Sequence, residues 1–416
     1  MSNTTAALAD SIALPCGAAL ANRIVKSALS EGLADAGNAP TPALERLYRR
    51  WADGGFGLVV TGNVMVDRRH LGEPGNLVVE DDRHMAGLRR LAGAFDHVDT
   101  ACWVQLNHPG RQSNPLARTR PVAPSAIAAD VPGASRPTAL TGPQIEEIIT
   151  RFAESAAVCE AAGFAGVQIH AAHGYLITQF LSPLTNRRDD EWGGDPVRRR
   201  RFLLEVVRAI RDRVSPEFAV GVKLNSADFQ RGGFTEDESR DVVSALVTEG
   251  IDLLEISGGS YESPAMLGPV RASTAAREAY FLDYARTVAE LAGPVPVAVT
   301  GGFRTVTAMH DAVSSGDCDL IGLGRPTCLD PDAATTVLRQ PHSRLAVGEV
   351  RVPFASTPMM RQLQSLVELQ WHTDQLHRLG NGKTPDPDRA WWQTAMSTMW
   401  RNGADSLRPK RGGGAR

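Results

Sequence analysis

Two histidines three residues apart, His170 and His173, are followed two residues later by Tyr175. Imidazoles so spaced at one strand end can aim a pair of N–H donors at a single oxygen. A tyrosine hydroxyl, with a pKa of about 10, can give a proton to a strongly basic carbanion or enolate. The plainer alternative is one buried histidine, one exposed histidine and an amphipathic aromatic at a helix start. Zinc hydrolysis would need a further acidic ligand, and the helical HExxH pattern is absent. A second group is Gly301-Gly302 with Gly324-Arg325. Backbone N–H groups at such turns bind phosphate oxygen, and Arg325 adds a charged fork. The plainer alternative is a pair of helix-entry turns.

These residues need elements that bring them together. One phrase recurs along the chain: a helical pattern ends at glycine, and a short apolar strand follows. It occurs over 54–61, 163–170, 250–257, 293–300 and 316–323. Adding Ile24–Ser27, Ala101–Leu106 and Ala219–Leu224 gives eight strands, each with room for a helix before the next. Eight alternating units predict a (β/α)8 TIM barrel. A doubly wound sheet would place GxGxxG after an early strand, and none occurs. Thr141–Gln144 and Thr235–Glu238 fit the capping box, and Ile145, Ile148, Ile149, Phe152 and Ala156 then share one helical face.

Barrels of this kind build their active site at the C-terminal ends of the strands, with a phosphate site after strands seven and eight. The polar residues there are Ser27 to Ser30, Thr61-Gly62-Asn63, Gln105 with Asn107-His108, His170 to Tyr175, Lys223 with Asn225, and the two glycine groups. Residues 1–340 read as the barrel and 341–416 as a C-terminal helical extension. Its first helix spans about Met359–Leu379 and stops at Gly380. The second starts at Asp386 as N-cap with Pro387 in the first turn. Trp392, Met396, Met399 and Trp400 then form one face, which packs on the barrel or serves as a subunit interface or lid. The basic, Gly-rich end from Arg408 to Arg416 reads as disordered.

The chain has 416 residues, 43% hydrophobic and 22% charged, with 44 basic against 47 acidic side chains. That excludes disorder over most of the length. It also leaves no electrostatic footprint for nucleic acid or an anionic membrane. Met1 to Leu14 carries no signal-peptide pattern, and no apolar run approaches the ~20 residues that span a bilayer. Cys16, Cys102, Cys159, Cys318 and Cys328 are scattered and never spaced CxxC. They suggest no disulfide framework, zinc site or iron–sulfur cluster, and a reducing, cytoplasmic compartment.

At its chemistry-bearing residues the sequence resembles the old yellow enzyme family of flavin-dependent ene-reductases. The resemblance covers roughly 11–340. It rests on Asn22-Arg23-Ile24-Val25 with Ser27, on Gln105 to Arg111, on Ile169 to Leu176, on Phe180-Leu181-Ser182-Pro183 with Asn186, Arg188, Asp190, Trp192, Gly193 and Gly194, and on Gly324-Arg325. It implies bound FMN, with NAD(P)H as the transient reductant. By matching position, Gln105 would meet the flavin pyrimidine edge, and Lys223 would stabilise negative charge there. Ser30, Asn63 and the Ala28 backbone would lie close to the ring. Gly301, Gly302, Gly324 and Arg325 would hold the phosphate. His170 and His173 would bind a substrate carbonyl oxygen, and Tyr175 would be the proton donor.

The implied activity is ping-pong reduction of the activated C=C bond of an α,β-unsaturated carbonyl compound. Oxidative demethylation and enoyl-CoA or steroid reduction are alternatives on the same barrel. A non-catalytic FMN-binding assembly protein is the alternative from another class. The implied partner is a small-molecule enone, with a homo-oligomer through the Trp-rich helices as a further candidate. The sequence departs from the family pattern in three places. Lys223 stands where the family most often has Arg, which keeps the charge and loses the bidentate fork. Ser30 stands where one branch has Cys and another Thr. Glu31, Gly32 and Leu33 follow where the Cys branch has an aromatic pocket residue. The longer relatives with a cluster and a second dinucleotide domain do not match.

Overall fold

The computed structural model describes residues 6–113, 120–130, 134–258, 278–279, 281–348, 350 and 358–402. Eight barrel strands run in parallel: β1 (Ile24–Lys26), β2 (Leu58–Val60), β3 (Ala101–Asn107), β4 (Gly166–Ala171), β5 (Ala219–Asn225), β6 (Leu253–Ser257), β7 (Val297–Thr300) and β8 (Leu320–Leu323). Each pairs with the next, and β8 pairs with β1, so the sheet closes. Helices lie between the strands, among them Pro42–Ala52, Gly142–Ala162, Pro196–Arg211 and Glu236–Thr248. The predicted (β/α)8 barrel is therefore the observed one.

The capping boxes set two helix starts. Glu238 N–H donates to Thr235 Oγ1 at 3.2 Å, and Thr235 N–H donates to Glu238 Oε2 at 3.1 Å. Gln144 Oε1 likewise accepts from Thr141 N–H at 2.9 Å. Gly163 closes the Gly142–Ala162 helix at φ 96°, a left-handed cap that a Cβ would disfavour.

Side chains alternate inward and outward along a strand. The lower inward positions are apolar: Val25, Leu58, Val60, Trp103, Ala219, Leu253, Ala298 and Leu320 form one buried cluster. Leu14 and Leu20, from a hairpin of Ile12–Ala13 with Ala19–Leu20, close it from below. Trp103 dominates this layer. A Cβ on Gly166 or Gly221 would stand 2.9 or 2.7 Å from its ring, so two glycines on neighbouring strands make its room. The outward positions join the helices in the main core. There the Lys26 Nζ lies 3.9 Å over the Trp51 ring and donates to Val60 O at 3.0 Å.

Beyond β8 the chain forms the two expected tail helices, with two corrections. The first spans Pro358–Gly380, as anticipated. Its Trp371 is fully buried and donates from Nε1 to Arg389 O at 2.8 Å. The second begins at Trp391, not at Asp386. The Asp386 backbone is tied instead to the Gln375 amide, through two 2.8 Å hydrogen bonds. The Trp392, Met396, Met399 and Trp400 face does not pack on the barrel; Trp400 is 90% exposed. Ion pairs of Arg389 and Arg401 with the buried Asp374 dock the other side and leave the apolar stripe outward. Arg408 to Arg416 lies outside the described residues. Cys102, Cys159, Cys318 and Cys328 are buried and unpaired, and Cys16 is half-buried and unpaired. Among the described residues no helix is long and apolar enough to cross a membrane.

Trp103→Ala should cost about 3–5 kcal/mol by leaving a cavity at the base of the barrel. Urea denaturation checks this; an unchanged midpoint would contradict the packing account.

Candidate active site

Higher in the barrel the inward positions change character. Where aliphatic layers usually continue, this chain places Gln105, Gln168, Lys223, Glu255, Thr300 and Ser27. They form one hydrogen-bonded chain. Gln105 Nε2 donates to Gln168 Oε1 at 2.7 Å, and Gln168 Nε2 donates to Glu255 Oε2 at 2.6 Å. Lys223 Nζ and Thr300 Oγ1 both donate to Glu255 Oε1, at 2.9 and 2.6 Å. Ser27 Oγ lies 2.7 Å from Thr300 Oγ1. The register explains the meeting, because Gln105 stands beside Gln168, and Lys223 beside both His170 and Glu255. Gly322 is required here: a Cβ on it would fall 1.8 Å from Thr300 Oγ1. Burial raises the Glu255 carboxyl, but the Lys223 charge and three donors outweigh it and hold the group below the usual glutamate range.

Above this layer sits the rim. The His170 and His173 rings meet edge to face at 5.0 Å, and His170 meets Tyr175 at 4.8 Å. Asn63 Nδ2 donates to Ser30 Oγ at 3.2 Å and to Tyr175 Oη at 3.3 Å. Asn107 Nδ2 donates to Asn63 Oδ1 at 3.3 Å. His173 adopts φ 62°, a left-handed conformation rare for a residue with a Cβ. Its neighbours hold it there. Its N–H donates to Asn225 Oδ1 at 3.2 Å, and its carbonyl accepts from Gln112 Nε2 at 2.9 Å.

Both imidazoles are kept neutral. Burial pushes His170 well below the usual histidine value and His173 down to about 3, and the Lys223 charge adds to both shifts. His170 Nδ1 accepts from Ala172 N–H at 3.2 Å, so the ring proton sits on Nε2. His173 Nε2 lies 2.8 Å from Ser257 Oγ, which leaves Nδ1 as the nitrogen that can turn to a ligand.

The remaining expected residues fall around the same mouth. Ala28 is half-buried against the inner cluster. Gly301 and Gly302 follow Thr300 with φ 131° and 97°, and Gly324 follows β8. Arg325 is largely exposed and pairs at 2.9 Å with Glu368 of the first tail helix. Glu31 does not point into the rim. Its buried carboxylate accepts from Tyr48 Oη and, at 2.8 Å, from Gly62 N–H. The sequence reading missed Glu255, Gln168, Thr300 and Ser257. Their signal was positional, since they alternate with apolar residues near the ends of β4, β6 and β7.

A second histidine cluster reads as structural. Asp67, His70 and His108 approach one another, but Arg69 and Arg151 both pair with Asp67, at 2.7 and 3.3 Å. His108 Nδ1 accepts from Gly110 N–H at 3.1 Å, which puts its proton on Nε2. Two guanidiniums and a donor nitrogen do not suit a cation.

The mouth fits a flavin by the chemistry of its groups. It offers a buried cation and amide on one side, and glycine backbone turns with an arginine on the other. A polar, hydrogen-bonded barrel mouth of this kind suits a flavin-binding (β/α)8 oxidoreductase. Residues 16–342 match the NADH:flavin oxidoreductase / NADH oxidase family, and the chain belongs to that family. It is 38% identical over 388 residues to the NADH-dependent flavin oxidoreductase iliE of Hypocrea jecorina, covering 87% of this chain and 96% of that one. A 2-naphthoyl-CoA reductase structure superposes with TM-score 0.78 at 25% identity, covering 90% of this chain and 57% of that one. The old yellow enzyme homologue of Zymomonas mobilis shares the fold, with TM-score 0.69 at 24% identity over 85% of this chain and 98% of that one. The protein is thus an NADH-dependent flavin oxidoreductase, with FMN as cofactor and NADH as reductant.

The buried imidazoles make stability depend on pH. In the unfolded chain each binds its proton near about pH 6.5. In the folded chain His173 does so only at about 3, His372 and His377 at about 4, and His108 and His170 well below their usual value. Acidification through about pH 6.5 therefore favours unfolding. The urea midpoint should fall between about pH 7 and pH 5, and fall less in a His170→Asn/His173→Asn variant. Equal losses in the two proteins would contradict the neutral-imidazole account.

Proposed function

We propose that this enzyme reduces the activated C=C bond of α,β-unsaturated carbonyl compounds, with NADH and the unsaturated substrate using the mouth in turn. FMN, when bound, supplies the hydride acceptor and donor. Lys223 and Gln105 would serve its pyrimidine edge, with Ser30, Asn63 and the Ala28 backbone beside the ring. Gly301, Gly302, Gly324 and Arg325 would hold its phosphate.

The observation that carries the reading is the convergence of two neutral imidazoles and one phenol on one spot. Neutral imidazoles can donate to a carbonyl oxygen without bringing charge. They polarise it as negative charge develops there. Tyr175 then gives its phenolic proton to the α-carbon. The Asn63 amide donates to the Tyr175 oxygen, which favours the phenolate left behind. An ester, thioester or ketone oxygen would satisfy the histidine pair equally. The 2-naphthoyl-CoA reductase, by its name, takes a substrate with such a carbonyl.

Stopped-flow kinetics of the two half-reactions test this. Tyr175→Phe should slow reoxidation by cyclohexenone by about 10²–10⁴-fold, the usual span for a positioned general acid. It should leave reduction by NADH nearly unchanged. Equal slowing of both half-reactions would remove Tyr175 from the role.

A further inference from the structure

The Lys223 ammonium is 3% exposed, and its partner Glu255 is 1% exposed. Nothing about binding an anionic flavin edge requires a carboxylate beneath the cation. The carboxylate even offsets part of the charge that the edge would feel. Its presence therefore needs another reason.

Burial supplies one. An ammonium taken out of water loses its proton readily, whereas a guanidinium does not. This barrel contains an internal comparison. Lys26 is equally buried, donates to a carbonyl and lies over Trp51. Burial pushes it down to about 8, although Glu31 partly opposes the shift. Lys223 differs in having a carboxylate at 2.9 Å. The other charged or titratable groups facing Lys223 among the described residues give it no help. His170 and His173, from the end of β4, are neutral, and Lys26, on β1 across the barrel, is a like charge. Glu255 is also fixed rather than free to swing. Gln168, Thr300 and Lys223 together satisfy both of its oxygens.

We propose that Glu255 is a positioning residue that keeps the Lys223 ammonium charged and fixed at the barrel mouth. The inference rests on the reading that places Lys223 at the flavin pyrimidine edge.

The test is the pH dependence of the flavin midpoint potential, measured by spectroelectrochemistry between about pH 6 and pH 9. If Glu255 acts as proposed, the parent couple takes up no proton at Lys223. In Glu255→Gln, with the carboxylate at 2.9 Å removed, reduction should be accompanied by proton uptake at this site. The slope should then steepen by one proton per two electrons, a tenfold change per pH unit or about 30 mV. Adding Lys223→Arg to Glu255→Gln should restore the parent slope, because the guanidinium holds its proton without help. A parent-like slope in Glu255→Gln, or no rescue by Lys223→Arg, overturns the proposal. Should the Gln variant not fold, Glu255→Asp withdraws the carboxylate by one methylene. It should give an intermediate slope, and a parent slope again overturns the proposal. Lys223→Gln separates the two levels of the argument. If it shifts the potential while Glu255→Gln changes nothing, the placement of Lys223 stands and the role of Glu255 falls. If it too leaves the potential unmoved, the placement of Lys223 falls as well.

Discussion

The structure turns on a charge inside a barrel. Lys223 and Glu255 face each other across β5 and β6, where a (β/α)8 core would ordinarily hold branched aliphatics. A buried ion pair is weak evidence for stability, but removing one member costs about 3–5 kcal/mol because the other is left unpaired. The surrounding layer can be understood from that constraint. Gln168 and Thr300 fill the remaining acceptor sites of the carboxylate, Gln105 pairs Gln168, and Ser27 pairs Thr300. Gly322 gives up its side chain to let them meet. Below, Trp103 and its aliphatic neighbours exclude water from the underside of the pair.

The rim obeys the same field. Burial, with the Lys223 charge adding to it, keeps His170 and His173 neutral, so the pair that would greet a carbonyl offers N–H dipoles and no net charge. Backbone geometry does the rest. The left-handed His173 is over-determined by Asn225 and Gln112, and its ring by Ser257. Groups held in this way before a substrate arrives are what electrostatic preorganisation requires. The first tail helix reaches the same face from outside through Glu368, so the extension contacts the barrel at its expected phosphate arginine.

Much of this was legible in the sequence, for physical reasons that differ from place to place. The barrel was visible because glycine caps and short apolar strands repeat, and both are local. The rim residues were visible because strand ends are where such barrels place polar groups. Glu255 was not, because a single acidic residue within Leu253-Leu254-Glu255-Ile256-Ser257 gives no local sign of the lysine one strand away. Glu31 stands in the segment where one branch of the family has an aromatic pocket residue, and its inward turn toward the Tyr48 hydroxyl and Gly62 N–H gave no local sign in the sequence. The tail helix was misplaced for a related reason. Asp386-Pro387 is a good local start signal, but the Gln375 amide, eleven residues back, captures that backbone first. The Trp392 to Trp400 stripe has helical spacing whether or not anything covers it, so spacing alone could not say which way it faces.

The central claim is that the two histidines look onto the flavin from the barrel mouth. Optical titration of the FMN-loaded enzyme with substituted phenols tests it most directly. A phenolate held by His170 and His173 against the flavin should produce a long-wavelength charge-transfer band, and that band should vanish in the His170→Asn/His173→Asn variant. Phenol binding that saturates without the band, or a band that survives the loss of both histidines, would contradict the account.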